Sequence, residues 1–88
     1  MNFNSSAVPL TSLIPGQKAL VQEVLGPGRG TRLRLAALGL RRGACVRLIR
    51  HGVGGPILLE VDGTWVALGR GLARRILVLP QGDAHAAE

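Results

Sequence analysis

Aromatic and thiol side chains are scarce in this chain of 88 residues, which has one Phe, one Trp, one Cys and no Tyr. Because Cys45 has no second cysteine to pair with, an internal disulfide and a metal site built from several cysteines are both excluded. The shortage of aromatic rings also argues against a surface that stacks nucleic-acid bases. Since hydrophobic residues still make up 47% of the chain, we expect one small domain with an aliphatic core.

Long hydrophobic runs are missing as well. No segment approaches the about 18 apolar residues that span a bilayer. The N-terminus, Met1 to Ser6, is polar and lacks the apolar core of a secretory signal, so we expect a cytoplasmic protein. Residues 1–9 and 81–88 are predicted to be a disordered leader and a disordered tail on either side of a folded domain at residues 10–80.

The sequence contains none of the common catalytic groupings. It has no Ser–His–acid pattern, no neighbouring pair of carboxylates and no thiol beside a histidine, and its glycine-rich stretches lack the P-loop spacing. We therefore predict that the chain is not an enzyme.

Acidic residues are absent between Glu23 and Glu60, and the net charge of the chain is +6. The acid-free interval holds seven arginines: Arg29, Arg32, Arg34, Arg41, Arg42, Arg47 and Arg50. Such a basic stretch attracts phosphates or an acidic protein surface. The alternative is a genome rich in G and C, which favours Arg over Lys without any functional reason.

The segment that follows the first glycine-rich loop has the pattern of a short helix and an abrupt stop. Leu35 and Leu38 are three residues apart and share one face of a helix predicted at residues 31–38. Gly39 is placed to end that helix, and Gly43 forms a second hinge before a strand at residues 44–50. We expect both leucines to anchor the helix on the sheet.

The other predicted strands are short and closely spaced. They lie at residues 17–25, 57–61, 64–68 and 76–79, with a helical turn within residues 69–75. The alternation of the first strand slips before Val24, which indicates a β-bulge. Five strands with one helix after the first predict a mainly β fold, a small and partly open barrel.

Two turns are marked by glycine. Pro15-Gly16 precedes the first strand. Asp62-Gly63 predicts a two-residue hairpin turn, which places Val61 opposite Thr64 and Glu60 opposite Trp65.

The order and spacing of these features resemble the FeoA family. The matching pieces are Pro15-Gly16, the run Leu35-x-x-Leu38-Gly39-Leu40-x-x-Gly43-x-x-Val46, Gly55-Pro56-Ile57 and the closing strand around Ile76. The resemblance implies an SH3-like barrel and a small cytoplasmic accessory of bacterial ferrous iron uptake. Such a protein is expected to bind the cytosolic GTPase part of the membrane transporter FeoB, to be peripheral to the membrane through that partner, and to modulate transport. The alternative is a basic nucleic-acid-binding small barrel, and a homo-oligomer is left open.

Candidate partner-binding residues lie near the helix and on the outer face of the hairpin. They are Leu33, Arg34, Leu40, Arg41, Arg42, Leu58 and Trp65. For Trp65 the competing prediction is that the ring packs into the core. A purely structural role is predicted for Gly16, Leu35, Leu38, Gly39, Gly43 and Gly63.

The family is associated with transition metals, and Fe(II) prefers several imidazole and carboxylate ligands together. The candidates here are His51 and Glu60, with a solvated loop histidine as the alternative for His51. We expect no tightly bound cofactor and predict that any site for Fe(II) or another divalent metal is weak and shared between chains.

Overall fold

The computed structural model describes residues 7–26 and 28–81. The predicted disorder of residues 1–6 and 82–88 therefore falls outside the described residues. The elements are β1 (Val8–Pro9), a 3₁₀ turn (Leu10–Ser12), β2 (Lys18–Val24), α1 (Arg29–Ala37), β3 (Cys45–His51), β4 (Ile57–Val61), β5 (Thr64–Leu68), α2 (Arg70–Ala73) and β6 (Ile76–Pro80). No helix in these two ranges is both long and apolar enough to cross a membrane.

The described strands form one antiparallel sheet in the order β1-β6-β2-β3-β4-β5. The prediction of a mainly β fold is confirmed, with one strand more than expected. Val8 pairs with Val78 and Pro9 with Leu77, so these two residues belong to the sheet and not to the leader in which the sequence placed them. Because β1 is an edge strand, Pro9 lies where a sheet tolerates proline.

The hairpin of β4 and β5 has the predicted register. Val61 lies opposite Thr64, and Glu60 lies opposite Trp65. Asp62 and Gly63 have φ values of +51° and +79°, the two positive angles that a type I′ turn requires. This turn keeps Ile57 and Leu59 on the buried side of the sheet.

Two register shifts bend the sheet. The predicted bulge of β2 lies between Val21 and Glu23, where the strand pairs with β6. A second shift, which the sequence did not predict, lies between Leu48 and Arg50 in the pairing of β3 with β4. Each bulge strengthens the local twist and helps the strands curl around one core.

The core is aliphatic throughout the described residues. Alternate residues of β3 show the pattern, since Val46 and Leu48 are buried while Arg47 between them points outward. The 3₁₀ turn adds Leu10 and the residue that follows the turn adds Leu13, and both are buried. With no polar side chain buried in this part of the chain, the fold depends on hydrophobic packing and on backbone pairing.

Helix α1 ends in a way that corrects one prediction. Leu35 is buried as expected, but Leu38 is 46% exposed, whereas Leu40 is only 1% exposed. The N–H of Leu40 donates to the carbonyl of Leu35 at 2.8 Å, and the N–H of Gly39 donates to that of Ala36 at 2.9 Å. These bonds form a Schellman motif, whose hydrophobic contact joins the residues at the positions of Leu35 and Leu40. Leu35 and Leu40 therefore anchor the helix, and Leu38 does not.

Candidate partner-binding surface

Helix α1 stands as a ridge between two grooves of the surface. Its buried side is centred on Leu35, so residues on either side of that line face different neighbours. Arg29 and Arg32 lie on the flank towards β2, and Arg34 lies on the flank towards α2. We call the two depressions the β2 groove and the α2 groove.

The β2 groove has a volume of about 760 Å³. Its arginines are Arg29, Arg32, Arg41 and Arg42, and the acidic residue that lines it is Glu23. Its apolar lining consists of Ala7, Val24, Leu33, Ala36, Leu40 and Leu77. The groove thus combines an apolar floor with a positively charged rim.

The α2 groove has a volume of about 610 Å³ and the same combination of properties. Arg34, Arg74 and Arg75 supply its positive charge. The rest of its lining comes from α1, from the end of β5 and from α2. These residues are Thr31, Leu35, Leu38, Ala67, Leu68, Gly69, Gly71 and Leu72. Exposed Leu38 therefore contributes to this groove and not to the core.

The arginines of both grooves have no carboxylate partner among the described residues. Within residues 7–26 and 28–81 the ion pair is that of Arg47 with Glu60, and the Nε of Arg47 donates to Glu60 Oε1 at 3.1 Å. Arg70, which lines neither groove, donates to the carbonyl of Gly52 at 3.2 Å. The arginines around α1 are therefore not held in ion pairs inside the described part of the protein.

Trp65 is exposed on the outer face of the hairpin. Its exposed fraction is 61%, so the competing prediction of core packing is wrong. The pairings of four strands place Lys18, Arg47, Glu60 and Trp65 in one row across this face. Glu60, which lies directly opposite Trp65, pairs its carboxylate with Arg47 on the other neighbouring strand. Leu58, in the next outward position of β4, is half-buried.

The other predicted partner residues divide into two groups. Arg34, Arg41 and Arg42 are exposed, and Leu33 is 63% exposed. Leu40 is not available to a partner, because it is buried under the end of α1 and contributes only to the floor of the β2 groove. The sequence signal for this burial is a glycine that ends a helix and is followed directly by a leucine.

His51 and Glu60 do not form a joint metal site in one chain. His51 is the last residue of β3 and not a loop residue, and its Nε2–H donates to the carbonyl of Leu13 at 2.8 Å. His51 pairs with Ile57, three residues from Glu60 along β4, a separation of roughly 10 Å in a strand. In the part of the chain that the structure describes, no three His, Cys, Asp or Glu side chains are grouped so as to hold a metal ion.

Comparisons with known proteins agree with this architecture. The FeoA domain family matches residues 8–80. A protein of Methanocaldococcus jannaschii named Fe(2+) transport protein A is 33% identical over 70 residues, which are 80% of this chain and 83% of that protein.

Two solved structures extend the likeness to the fold. A crystal structure of an iron uptake regulatory protein, FeoA, has 38% identity and a TM-score of 0.78, covering 84% of this chain and 97% of the other. FeoA of Stenotrophomonas maltophilia, complexed with zinc and described as a prokaryotic SH3 domain protein, has 34% identity and a TM-score of 0.70, covering 82% and 89%. With its SH3-like barrel and the match over residues 8–80, the chain belongs to the FeoA family of ferrous iron transport accessory proteins.

Proposed function

We propose that this protein binds the cytosolic part of a FeoB-type ferrous iron transporter and modulates its transport. The observation that supports the proposal best is the set of unpaired arginines around α1. Arg29, Arg32, Arg41 and Arg42 line one groove, and none of them meets a carboxylate among the described residues. A surface of this kind attracts a partner that carries the complementary charge.

Arginine suits recognition of acidic side chains for a geometric reason. Its planar guanidinium can donate two parallel hydrogen bonds to one carboxylate, and such charge-assisted bonds are roughly twice as strong as neutral ones. The apolar floors between the arginines would bury aliphatic side chains of the same partner. The surface therefore suits a protein segment in which acidic and apolar residues alternate.

Nucleic acid is the alternative ligand for a basic surface. Single-stranded nucleic acid is usually held by aromatic rings that lie among the positive charges. Trp65 lines neither groove, and the described residues contain no Phe, no Tyr and no other Trp. A concave surface with an apolar floor is also better matched to a protein segment than to a sugar-phosphate backbone.

Any binding of Fe(II) by the chain itself is expected to be weak and shared between chains. The Nε2 of His51 and the carboxylate of Glu60 are each engaged within the fold, by Leu13 and by Arg47. A metal ion at either residue would have to displace that interaction, and because the two residues lie roughly 10 Å apart it would gain only one of them from a single chain. In this proposal Fe(II) is the cargo of the transporter and not a bound cofactor of this protein.

The test is binding of the purified cytosolic part of the transporter, measured by calorimetry at two salt concentrations. Arg41→Glu should weaken binding about threefold to tenfold, the upper value corresponding to about 1.4 kcal/mol. Arg50→Glu is the matched control, because it changes the net charge equally at an exposed position outside both grooves. Raising the salt concentration should weaken the wild type more than Arg41→Glu.

Equal weakening by Arg41→Glu and Arg50→Glu would reflect net charge alone and would refute the β2 groove as the binding surface. Absence of binding to the transporter would overturn the proposed function. Binding to duplex or single-stranded oligonucleotides with a steep salt dependence would then favour nucleic acid as the ligand. Modulation is measured separately, as Fe(II) uptake by transporter-containing vesicles with and without the protein.

A further inference from the structure

Strand β5 ends the sheet, and its register determines which backbone groups are unused. In a two-residue hairpin the residues that flank the turn exchange hydrogen bonds, and Val61 and Thr64 occupy these flanking positions here. Hydrogen-bonded and non-hydrogen-bonded pairs then alternate along the ladder. Trp65 and Ala67 fall in the non-hydrogen-bonded pairs, so their N–H and C=O groups point away from β4.

These outward groups have no partner in the described structure. No backbone hydrogen bond joins Trp65 or Ala67 to any element outside the hairpin in residues 7–26 and 28–81. Edge strands are normally protected by a charge, a proline or a bulge. Thr64–Leu68 contains none of these, whereas the opposite edge, β1, has only two residues and includes Pro9. The two edges of the sheet thus differ, and among the described strands β5 is the edge that lacks such protection.

The open edge leads directly into the α2 groove. Ala67 and Leu68 at the end of β5 line this groove, and Gly69 continues the lining. A segment paired with Trp65 and Ala67 would therefore run on between α1 and α2, past the apolar side chains of Leu38 and Leu72. Arg34, Arg74 and Arg75 stand around the same groove without a carboxylate partner among the described residues.

We propose that β5 is a docking strand, on which an extended segment of the partner adds as a seventh strand and continues into the α2 groove. The segment is expected to carry apolar residues for the groove and acidic residues for its three arginines. This inference rests on the proposed function, because it assigns the segment to the cytosolic part of the transporter. It adds a binding mode in which main-chain hydrogen bonds supply affinity and side chains supply specificity.

The charge of the protein favours such a partner over a second copy of the chain. Two copies that paired through β5 would bring together molecules of net charge +6, with the arginines of both α2 grooves close to the shared strands. An acidic segment meets attraction at the same place. The exposed indole of Trp65 then lies beside the added strand, at the roughly 5 Å spacing of neighbouring strands, and covers one of its side chains.

The test follows the backbone amides themselves. The ¹⁵N-labelled protein is mixed with the cytosolic part of the transporter, and hydrogen exchange is measured residue by residue by NMR. We expect exchange at Trp65 and Ala67 to slow at least about tenfold in the complex, because both amides become hydrogen-bonded. The amide of Cys45, in an exposed position at the start of β3 away from this edge, serves as the internal control.

A pair of variants tests the same hydrogen bonds through affinity. Ala67→Pro removes an outward N–H, which an edge strand tolerates, and Val66 before it is already extended. Ala67→Ser keeps the N–H and is the matched control. We expect Ala67→Pro to bind at least about tenfold more weakly than Ala67→Ser. Circular dichroism of both variants establishes that each is folded.

These experiments distinguish failure of the docking strand from failure of the proposed function. If the partner binds and neither amide is protected, the docking strand is refuted while the proposed function stands. If the partner does not bind at all, the proposed function fails and this inference fails with it. If the two amides become protected in the protein alone, in proportion to its concentration, the occupant is a second copy and the proposal is wrong.

Discussion

Substitution of Gly39 tests the account of how helix α1 is fixed to the sheet. Gly39 has φ of +93°, a conformation that L-amino acids rarely adopt. A Cβ atom added there would lie 2.9 Å from Cγ1 of Val61 in β4. Gly39→Ala should therefore incur two separate costs, one from the backbone and one from the contact.

The size of the effect follows from these two observations. A side chain at positive φ costs about 1–2 kcal/mol, and forcing extra volume into a packed site costs about 1–3 kcal/mol. Together they predict a loss of about 2–5 kcal/mol from a free energy of unfolding that is typically about 5–15 kcal/mol. Because 1 kcal/mol shifts the melting temperature of a domain this small by about 4–8 °C, the expected fall is at least about 8 °C.

Gly43 supplies the control. Its φ is +90°, but a Cβ added there would meet nothing within 4 Å, so Gly43→Ala should carry the backbone cost alone. A second control is Gly39→Ala in a Val61→Ala background, where the close contact is gone and the cost should fall by about 1–3 kcal/mol. The assay is urea unfolding followed by far-UV circular dichroism, because exposed Trp65 is a poor fluorescence reporter of folding.

If Gly39→Ala proved no more destabilising than Gly43→Ala, the contact with Val61 would not constrain position 39. The same conclusion would follow if the Val61→Ala background left the cost of Gly39→Ala unchanged. The larger substitution, Gly39→Val, should destabilise the protein further without altering the exposed arginines.

Three further predictions concern side chains whose positions the structure settles. Leu40→Ala should lower the free energy of unfolding by about 2–5 kcal/mol because the Leu40 side chain is buried. Leu33→Ala should change it by no more than about 0.5 kcal/mol because Leu33 is exposed. Equal effects of the two substitutions in thermal unfolding would contradict the assigned end of α1. Glu60→Gln should reduce stability by less than about 1 kcal/mol, because the ion pair with Arg47 is partly solvated; a double-mutant cycle with Arg47→Ala that gave a coupling several times larger would refute this. Calorimetric titration with Fe(II) or Zn²⁺ should show no tight one-to-one binding by the monomer, and a tight site abolished by His51→Ala would show that His51 is a ligand after all.

The hairpin could be predicted from the sequence because its determinants are local. The Asp62-Gly63 turn sets the register, and the alternation on both sides of it sets the buried face. The bulge of β2 was predicted for the same reason, since a slip in alternation is visible within a few residues. Strand β1 gave no such signal, because two residues that include a proline have neither alternation nor a propensity for strands.

The end of α1 shows how a pattern can mislead by a single residue. Leu35 and Leu38 have helical spacing, which favoured Leu38 as the second anchor. The chain reverses direction at Gly39, however, so Leu40 returns to the helix and takes the buried place. The sequence carried this signal as a leucine directly after the terminal glycine.

The candidate surface was only partly predictable, because it depends on contacts between distant segments. The register of β3 on β4 brings Arg47 to Glu60, and no local pattern fixes that register. The exposure of Trp65 followed from the hairpin register only once the packing of the two faces was known. Residues on α1 and α2 meet at one groove through the tertiary fold alone.

The strand order has a consequence for how the protein is made. Strand β6, the last along the chain, lies between β1 and β2, which are the first two. Until residues 76–80 leave the ribosome, neither early strand has its neighbour on that side, and the contact of Val8 with Val78 closes a loop of 70 residues. Folding must therefore follow synthesis of nearly the whole domain, and such distant pairings fold slowly. A chain that stopped before Ile76 would lose the partner of two strands at once.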